Sequence, residues 1–185
     1  VTLIHRGFEG KLPSRGDFVG RGLPRSFLRP WQAWVDAALS ASRRMLGEAW
    51  LPAWLEAPVW RFAMQGGACG PDAVLGLMLP SVDRAGRHYP LTVAAVFIGV
   101  QAAPADVAWL DAVEAPALDA LALDHAPEAL LLSLDAVPGP DAGDGRGSGQ
   151  WWTAGSPRVP AARISLPGLP PPADFAAMID AGGAP

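Results

Sequence analysis

Apolar residues recur along this chain with two different periods, and the switch between them lays out its elements. From Phe27, the apolar positions Trp31, Trp34, Val35, Ala38, Leu39 and Met45 follow at steps of three and four, which predicts one buried face of a helix. Ser26 as a cap or Pro30 in the first turn would start that helix, and Gly47 would end it. Arg43 and Arg44 in its last turn suit the negative end of the helix dipole. Trp50, Leu51, Trp54 and Leu55 predict a shorter helix stopped by Pro58. Residues 59–64 alternate large and polar side chains, as a half-buried strand does. Residues 73–79 and 91–100 are continuous apolar runs on either side of a polar stretch in which Asp83 and Gly86 are turn formers. Two such runs predict a hairpin covered on at least one face.

On either side of this middle section the pattern is weaker. Residues 7–19 mix short apolar pieces with Gly, Pro and Ser, as short strands joined by tight turns do. Residues 104–124 predict a helix with Val107, Leu110, Val113 and Leu121 on one face and an interruption at Pro116. A further helix is expected over 127–134 and a flexible loop over 138–149, where Gly, Pro and Asp dominate. Residues 151–153 and 161–166 predict late strands, and Asp174 a cap for a last helix running to Ile179. No internal repeat is present. Helices interleaved with strands imply the α/β class, and the hairpin implies a mixed rather than all-parallel sheet. The 185 residues are expected to form one domain over 1–185. A domain of that size buries roughly 70% of its unfolded surface and needs no staple.

Composition narrows the picture. Cys69 is the only cysteine, so there is no intrachain disulfide and no cysteine-based zinc site, and a reducing compartment is implied. No apolar run approaches the about 18–20 residues that span a bilayer, and residues 1–10 lack a secretory pattern. A cytoplasmic protein without direct membrane insertion is expected. The net charge of −4 is unevenly spread. Residues 1–45 carry eight Lys and Arg against three acids, a balance of +5, which leaves −9 for the remainder. A basic amino-terminal section on an acidic body suggests a directed face. Nucleic acid is a poor partner for it, because the whole protein is acidic and the cluster holds a single lysine.

No catalytic, cofactor or metal site is expected. The Gly-rich stretch 7–18 places Leu12 after Gly10-Lys11, where a phosphate loop needs Ser or Thr. Asp17 there is expected to cap local amides with Arg15 as its ion-pair partner. Ser81, Asp83 and His88 lie too close along one turn to establish a relay, and no nucleophile elbow is present. Asp83 is expected to pair with Arg84 or Arg87. His5, His88 and His125 lack metal-ligand spacing. Of the eight tryptophans, Trp31 and Trp34 are expected in the core. Trp151 and Trp152 point to opposite faces of a strand, which leaves one of them available to a partner.

The blocks Gly7-Phe8-x-Gly10-Lys11-Leu12-Pro13-Ser14-Arg15-Gly16-Asp17-Phe18, Trp31-x-x-Trp34, Ala57-Pro58-Val59-Trp60-Arg61-Phe62 and Pro80-Ser81-Val82-Asp83-Arg84-x-Gly86-Arg87 stand in this order. Tyr89-Pro90-Leu91-Thr92 and Trp151-Trp152-Thr153 follow them. Together they resemble the TagF family, also called ImpM, of type VI secretion accessory proteins. Glu9 departs from the aromatic residue common in that family, and His88 is a similar variation. Some relatives carry a fused phosphatase domain, and that activity is not carried over to this chain.

The resemblance implies a three-layer α/β/α sandwich around the sheet. It also implies a cytoplasmic, non-enzymatic, post-translational repressor of apparatus assembly that binds a forkhead-associated scaffold protein, beside a threonine-phosphorylation switch. Other apparatus components are possible partners. The candidate contact residues are Lys11, Ser14, Arg15, Asp17 and Arg21 in the first segment, and Ser81, Asp83, Arg84 and Arg87 in the turn. Forkhead-associated domains recognise phosphothreonine through basic residues, so an acidic patch is an equal candidate. Two alternatives come from other classes: a hydrolase or phosphoryl-transfer enzyme using Asp17, Asp83 and His88, and a structural subunit of the apparatus.

Overall fold

The apolar runs at the middle of the sequence become the middle of a sheet. In a computed structural model that describes residues 2–141, 147 and 149–182, β4 (Ala73–Leu79) and β5 (Leu91–Phe97) pair antiparallel, and every residue of both is buried. The hairpin between them is the one expected. β3 (Trp60–Met64) lies along β4, and β1 (Ile4–Gly10) along β5. β2 (Val19–Arg21) closes one edge beside β1. β6 (Gln150–Thr153) and β7 (Ala162–Ser165) extend the other from β3. The order is β2-β1-β5-β4-β3-β6-β7.

Every neighbouring pair is antiparallel, which corrects the expected mixed sheet. The helical passage after β2 does lead to a strand of the same sense, β3. However, β1, β5 and β4 lie between those two strands, so no parallel pair forms. Interleaving of helices and strands shows that a crossover exists, but not where the next strand lands.

That passage consists of α1 (Arg25–Leu46), a 3-10 turn at Gly47–Ala49 and α2 (Trp50–Leu55). Neither expected start is used for α1: Pro24 holds the cap position in extended geometry, and Pro30 lies inside the helix. Gly47 ends it, with φ 52°, as expected. α3 (Val107–Ala122) begins where the Asp106 carboxylate accepts from the Trp109 amide at 2.9 Å, and α4 (Pro127–Asp135) follows it. Pro116 does not interrupt α3; Ala112, whose carbonyl loses its helical donor there, is exposed. α5 (Phe175–Ile179), after a 3-10 turn at Pro172–Asp174, is the last element among the described residues. The loop expected over 138–149 falls largely outside the described residues.

Strand alternation sorts the core in two. Phe62, Met64, Val74, Met78, Ala94, Val96 and Trp151 pack with residues of α1, α2 and α5. Ala63, Leu75, Leu77, Val93, Phe97 and Trp152 pack with α3 and α4. Cover on both faces is why the central runs are continuous rather than alternating. Trp151 and Trp152 do point to opposite faces, but both are buried, so neither is free for a partner.

Indole N–H groups tie the elements together. Trp31 donates to Thr92 Oγ1 at 3.0 Å, Trp34 to the Pro170 carbonyl at 2.6 Å, and Trp60 to the Met178 carbonyl at 2.9 Å. Trp31 also packs against the rings of Phe27, Trp34, Phe62 and Trp151. Replacing Trp31 with Ala should therefore cost about 3–5 kcal/mol, from the cavity and from the buried Thr92 hydroxyl left without its donor. Urea unfolding followed by the remaining tryptophan fluorescence measures that loss.

Candidate functional site

Two motif blocks well separated in sequence, residues 7–18 and 80–87, meet at one end of the sheet. β1 ends at Gly10, whose φ of 129° is open to glycine but not to side-chain-bearing residues. A Cβ there would lie 2.0 Å from the Pro90 carbonyl oxygen. This close approach carries Lys11 under the turn that precedes β5. Lys11 Nζ reaches Asp83 Oδ2 at 2.5 Å, with both side chains buried. Arg87 Nε donates to the same oxygen at 2.8 Å, and the amides of Ala85 and Arg87 donate to Asp83 Oδ1 at 2.9 Å each. Burial by itself would raise the Asp83 pKa. The bonds from Lys11 and Arg87 outweigh it and hold the carboxyl well below the usual range.

Further bonds complete the clasp. Ser81 Oγ donates to the Lys11 carbonyl at 2.7 Å, and the Arg84 amide donates to the Arg15 carbonyl at 2.8 Å. The guanidinium of Arg84 donates to the Ser14 carbonyl, and that of Arg87 to the Gly16 carbonyl. Ser14 Oγ donates to the His125 carbonyl at 2.7 Å, which joins the clasp to the loop before α4. Trp54 Nε1 donates to the Ser81 carbonyl at 3.2 Å from α2.

Beside the clasp lies a groove of about 590 Å³ between the last turns of α1 and the turn before β5. Arg43, Arg44 and Arg87 stand around it, with Asp36 as the acid on its α1 wall. Phe18, 58% exposed, meets Tyr89 edge-on at 4.7 Å between ring centres, with Lys11 Nζ 4.9 Å from its own ring centre. Arg43 is stacked over Trp50 at 4.4 Å, and Arg44 donates to Ser40 Oγ at 2.9 Å. Burial, followed by the charges of Arg43 and Lys11, lowers the His88 pKa against the pull of Asp83.

The family model for the TagF N-terminal domain, type VI secretion system-associated, matches residues 7–137. The chain belongs to this family. It is also similar to the crystal structure of PA0076 from Pseudomonas aeruginosa PAO1, with a TM-score of 0.84 and 34% identity. That match covers 98% of this chain and 96% of that one. No curated protein matches it. Among the described residues no helix is long and apolar enough to cross a membrane.

Within this TagF domain the sequence candidates divide by burial. Lys11, Ser14, Ser81 and Asp83 are buried and spend their polar atoms on the clasp. Arg15, Asp17, Arg21, Arg84 and Arg87 keep partly or fully exposed side chains. Asp17 does not pair with Arg15. It stands 4.0 Å from Arg87, while Arg15 and Arg21 both approach Glu128, at 3.4 and 3.5 Å. The expected Asp83–Arg87 pair is present, but the expectation missed Lys11 as the second cation. Its signal lay in the sequence as an isolated lysine in one block and an isolated aspartate in the other. The groove lining from Phe18, Tyr89 and Arg43 was not anticipated as a site. With both oxygens occupied and its pKa lowered, Asp83 is a poor acid or base, and this weakens the hydrolase alternative.

Glu9 projects from β1 to the α1 side of the sheet and is buried. Gln32 Nε2 donates to its Oε2 at 3.1 Å, while Oε1 is buried without a partner. Burial pushes its pKa up from 4.5 to about 7; Gln32 and the Trp31 indole pull it back, and Asp36 adds to the rise.

The clasp makes a first prediction. Lys11→Met leaves a buried carboxylate short of a cation and should lower the urea midpoint sharply. Lys11→Met combined with Asp83→Leu should recover part of that loss, because no buried charge remains uncompensated. Glu9 makes a second. The folded state holds the Glu9 proton more tightly than the unfolded chain does, so stability falls as pH rises from about 4.5 to about 7 and then levels. Glu9→Gln should therefore stabilise the protein by up to about 3 kcal/mol at pH 8, with the gain vanishing near pH 4.5. Urea titrations across that range measure it.

Proposed function

We propose that this TagF domain, acting over residues 1–185 as one unit in the cytoplasm, is a non-enzymatic accessory protein that holds back type VI secretion assembly by binding. Its partner in this reading is the forkhead-associated scaffold protein of the same system. The observation that carries it is the clasp. Buried Lys11 and Asp83, with Ser14 and Ser81, set the backbone from which Arg15, Arg84 and Arg87 project, with Arg21 nearby on β2. A face whose backbone is already ordered loses less entropy on docking. Its cations stand on a chain of net charge −4, so attraction to a partner is directed to this end. The buried members of the motif blocks hold the backbone under the exposed ones, and this supports the reading.

Reversing both Arg15 and Arg21 to Glu should weaken binding of the purified scaffold by about tenfold or more in titration calorimetry. Beyond exposed pairs with Glu128, each side chain bonds only the carbonyl of the residue before it, Ser14 or Gly20, so the stability change should stay within about 0.5 kcal/mol. Unchanged affinity would remove this face. Recovery of the protein in fixed stoichiometry with the assembled apparatus would favour the structural-subunit reading instead.

A further inference from the structure

The groove beside the clasp has features that a general basic face does not need. Its cations are held in place before any ligand arrives: Arg43 by Trp50, Arg44 by Ser40, and Arg87 by Asp83 and Gly16. Lys11 and Asp83 cancel each other beneath it, which leaves the three arginines against Asp36 on the α1 wall and exposed Asp17, 4.0 Å from Arg87. The edge-on packing against Tyr89 holds the Phe18 ring, yet more than half of that side chain is open to solvent. A large exposed aromatic among ordered guanidinium groups combines an apolar anchor with bidentate carboxylate recognition. A second groove of about 400 Å³ beside Trp152 is different, because Asp111 and Glu114 clasp its lining cation, Arg61, at 2.7 and 2.6 Å.

We infer that the groove between α1 and the turn before β5 binds an acidic peptide segment of a partner protein, with carboxylates on Arg43, Arg44 and Arg87 and an apolar side chain on Phe18. This rests on the binding role proposed above and names the chemistry that the partner must present. Peptide carboxylates suit the site because a guanidinium donates to a carboxylate as a planar fork. Asp36, on the same α1 wall as Arg43 and Arg44, disfavours an acid beside it and would favour a polar or basic residue at the corresponding position of the segment.

The test uses the full chain and a fluorescein-labelled hexapeptide, Glu-Asp-Glu-Leu-Glu-Asp, with its amide counterpart, Gln-Asn-Gln-Leu-Gln-Asn, as control. Fluorescence anisotropy should show saturable binding of the acidic peptide only, weakening as salt rises. Arg43→Glu with Arg44→Glu should weaken it about tenfold or more, and Phe18→Ala should weaken it severalfold. Because Arg43 packs on Trp50, Arg44→Glu alone serves as a second variant, and thermal melts confirm that each variant is folded. Absence of acidic-peptide binding, equal binding of the amide peptide, or unchanged binding by the folded variants would each overturn the inference.

The same variants titrated against the scaffold separate the two readings. If the scaffold binds, the groove variants match wild type and the acidic peptide does not compete, the groove inference fails while the binding role stands. If the acidic peptide binds with the expected variant losses and the scaffold does not bind at all, the scaffold reading fails while the groove stands.

Discussion

A buried carboxylate must be neutralised where it sits, and in this protein the groups that neutralise Asp83 come from both ends of a long sequence separation. Lys11 arrives from the end of β1, while Arg87 and two backbone amides arrive from the turn that carries Asp83 itself. Removing Lys11 alone would strand a carboxylate away from water. The turn before β5 and the segment after β1 are therefore one unit. Everything exposed at this end of the sheet depends on it: Arg15 and Arg84 through their shared backbone bond, Arg87 directly, and Phe18 through Tyr89 and Lys11. The glycine at position 10 is the backbone condition for the contact, since a side chain there would collide with the Pro90 carbonyl.

The rest of the molecule supports that end through its tryptophans. Trp54 bonds the Ser81 carbonyl, and Trp50 stacks on Trp54 and beneath Arg43. Trp31 bonds Thr92 on the strand that leaves the clasp. A large apolar body with one directional donor fills a core and fixes an orientation at the same time. The basic surface is thus attached to the aromatic core by hydrogen bonds of defined direction, which is what a binding face needs if it is to meet its partner already arranged.

Glu9 shows the limit of that economy. It occupies the α1 side of the sheet, bonded by Gln32 and within reach of the Trp31 indole. Among the described residues only Oε2 has a hydrogen-bond partner, and burial disfavours the charged form of the carboxyl. Gln32 and the Trp31 indole reduce that cost without removing it.

Several elements were legible in the sequence because local pattern determines them. The 3.6-residue period from Phe27 produced α1, the paired apolar runs produced the β4–β5 hairpin, and Gly47 ended its helix with a positive φ. The motif blocks around Lys11 and Asp83 were also visible, as was the Asp83–Arg87 pair, which is closed within four residues. Strand order was not legible, because periodicity says which face of a strand is buried but not which strand lies beside it. The sheet accordingly proved antiparallel instead of mixed. Nor was the fate of Trp152 legible, since its burial depends on what packs over it from distant segments. The division of the candidate residues into buried supports and exposed arginines was equally hidden. Sequence alone determined the elements and the chemical types present at each motif. Tertiary structure alone decided that Lys11 meets Asp83 across a separation of 72 residues, because only folding brings two opposite charges out of water to the same place.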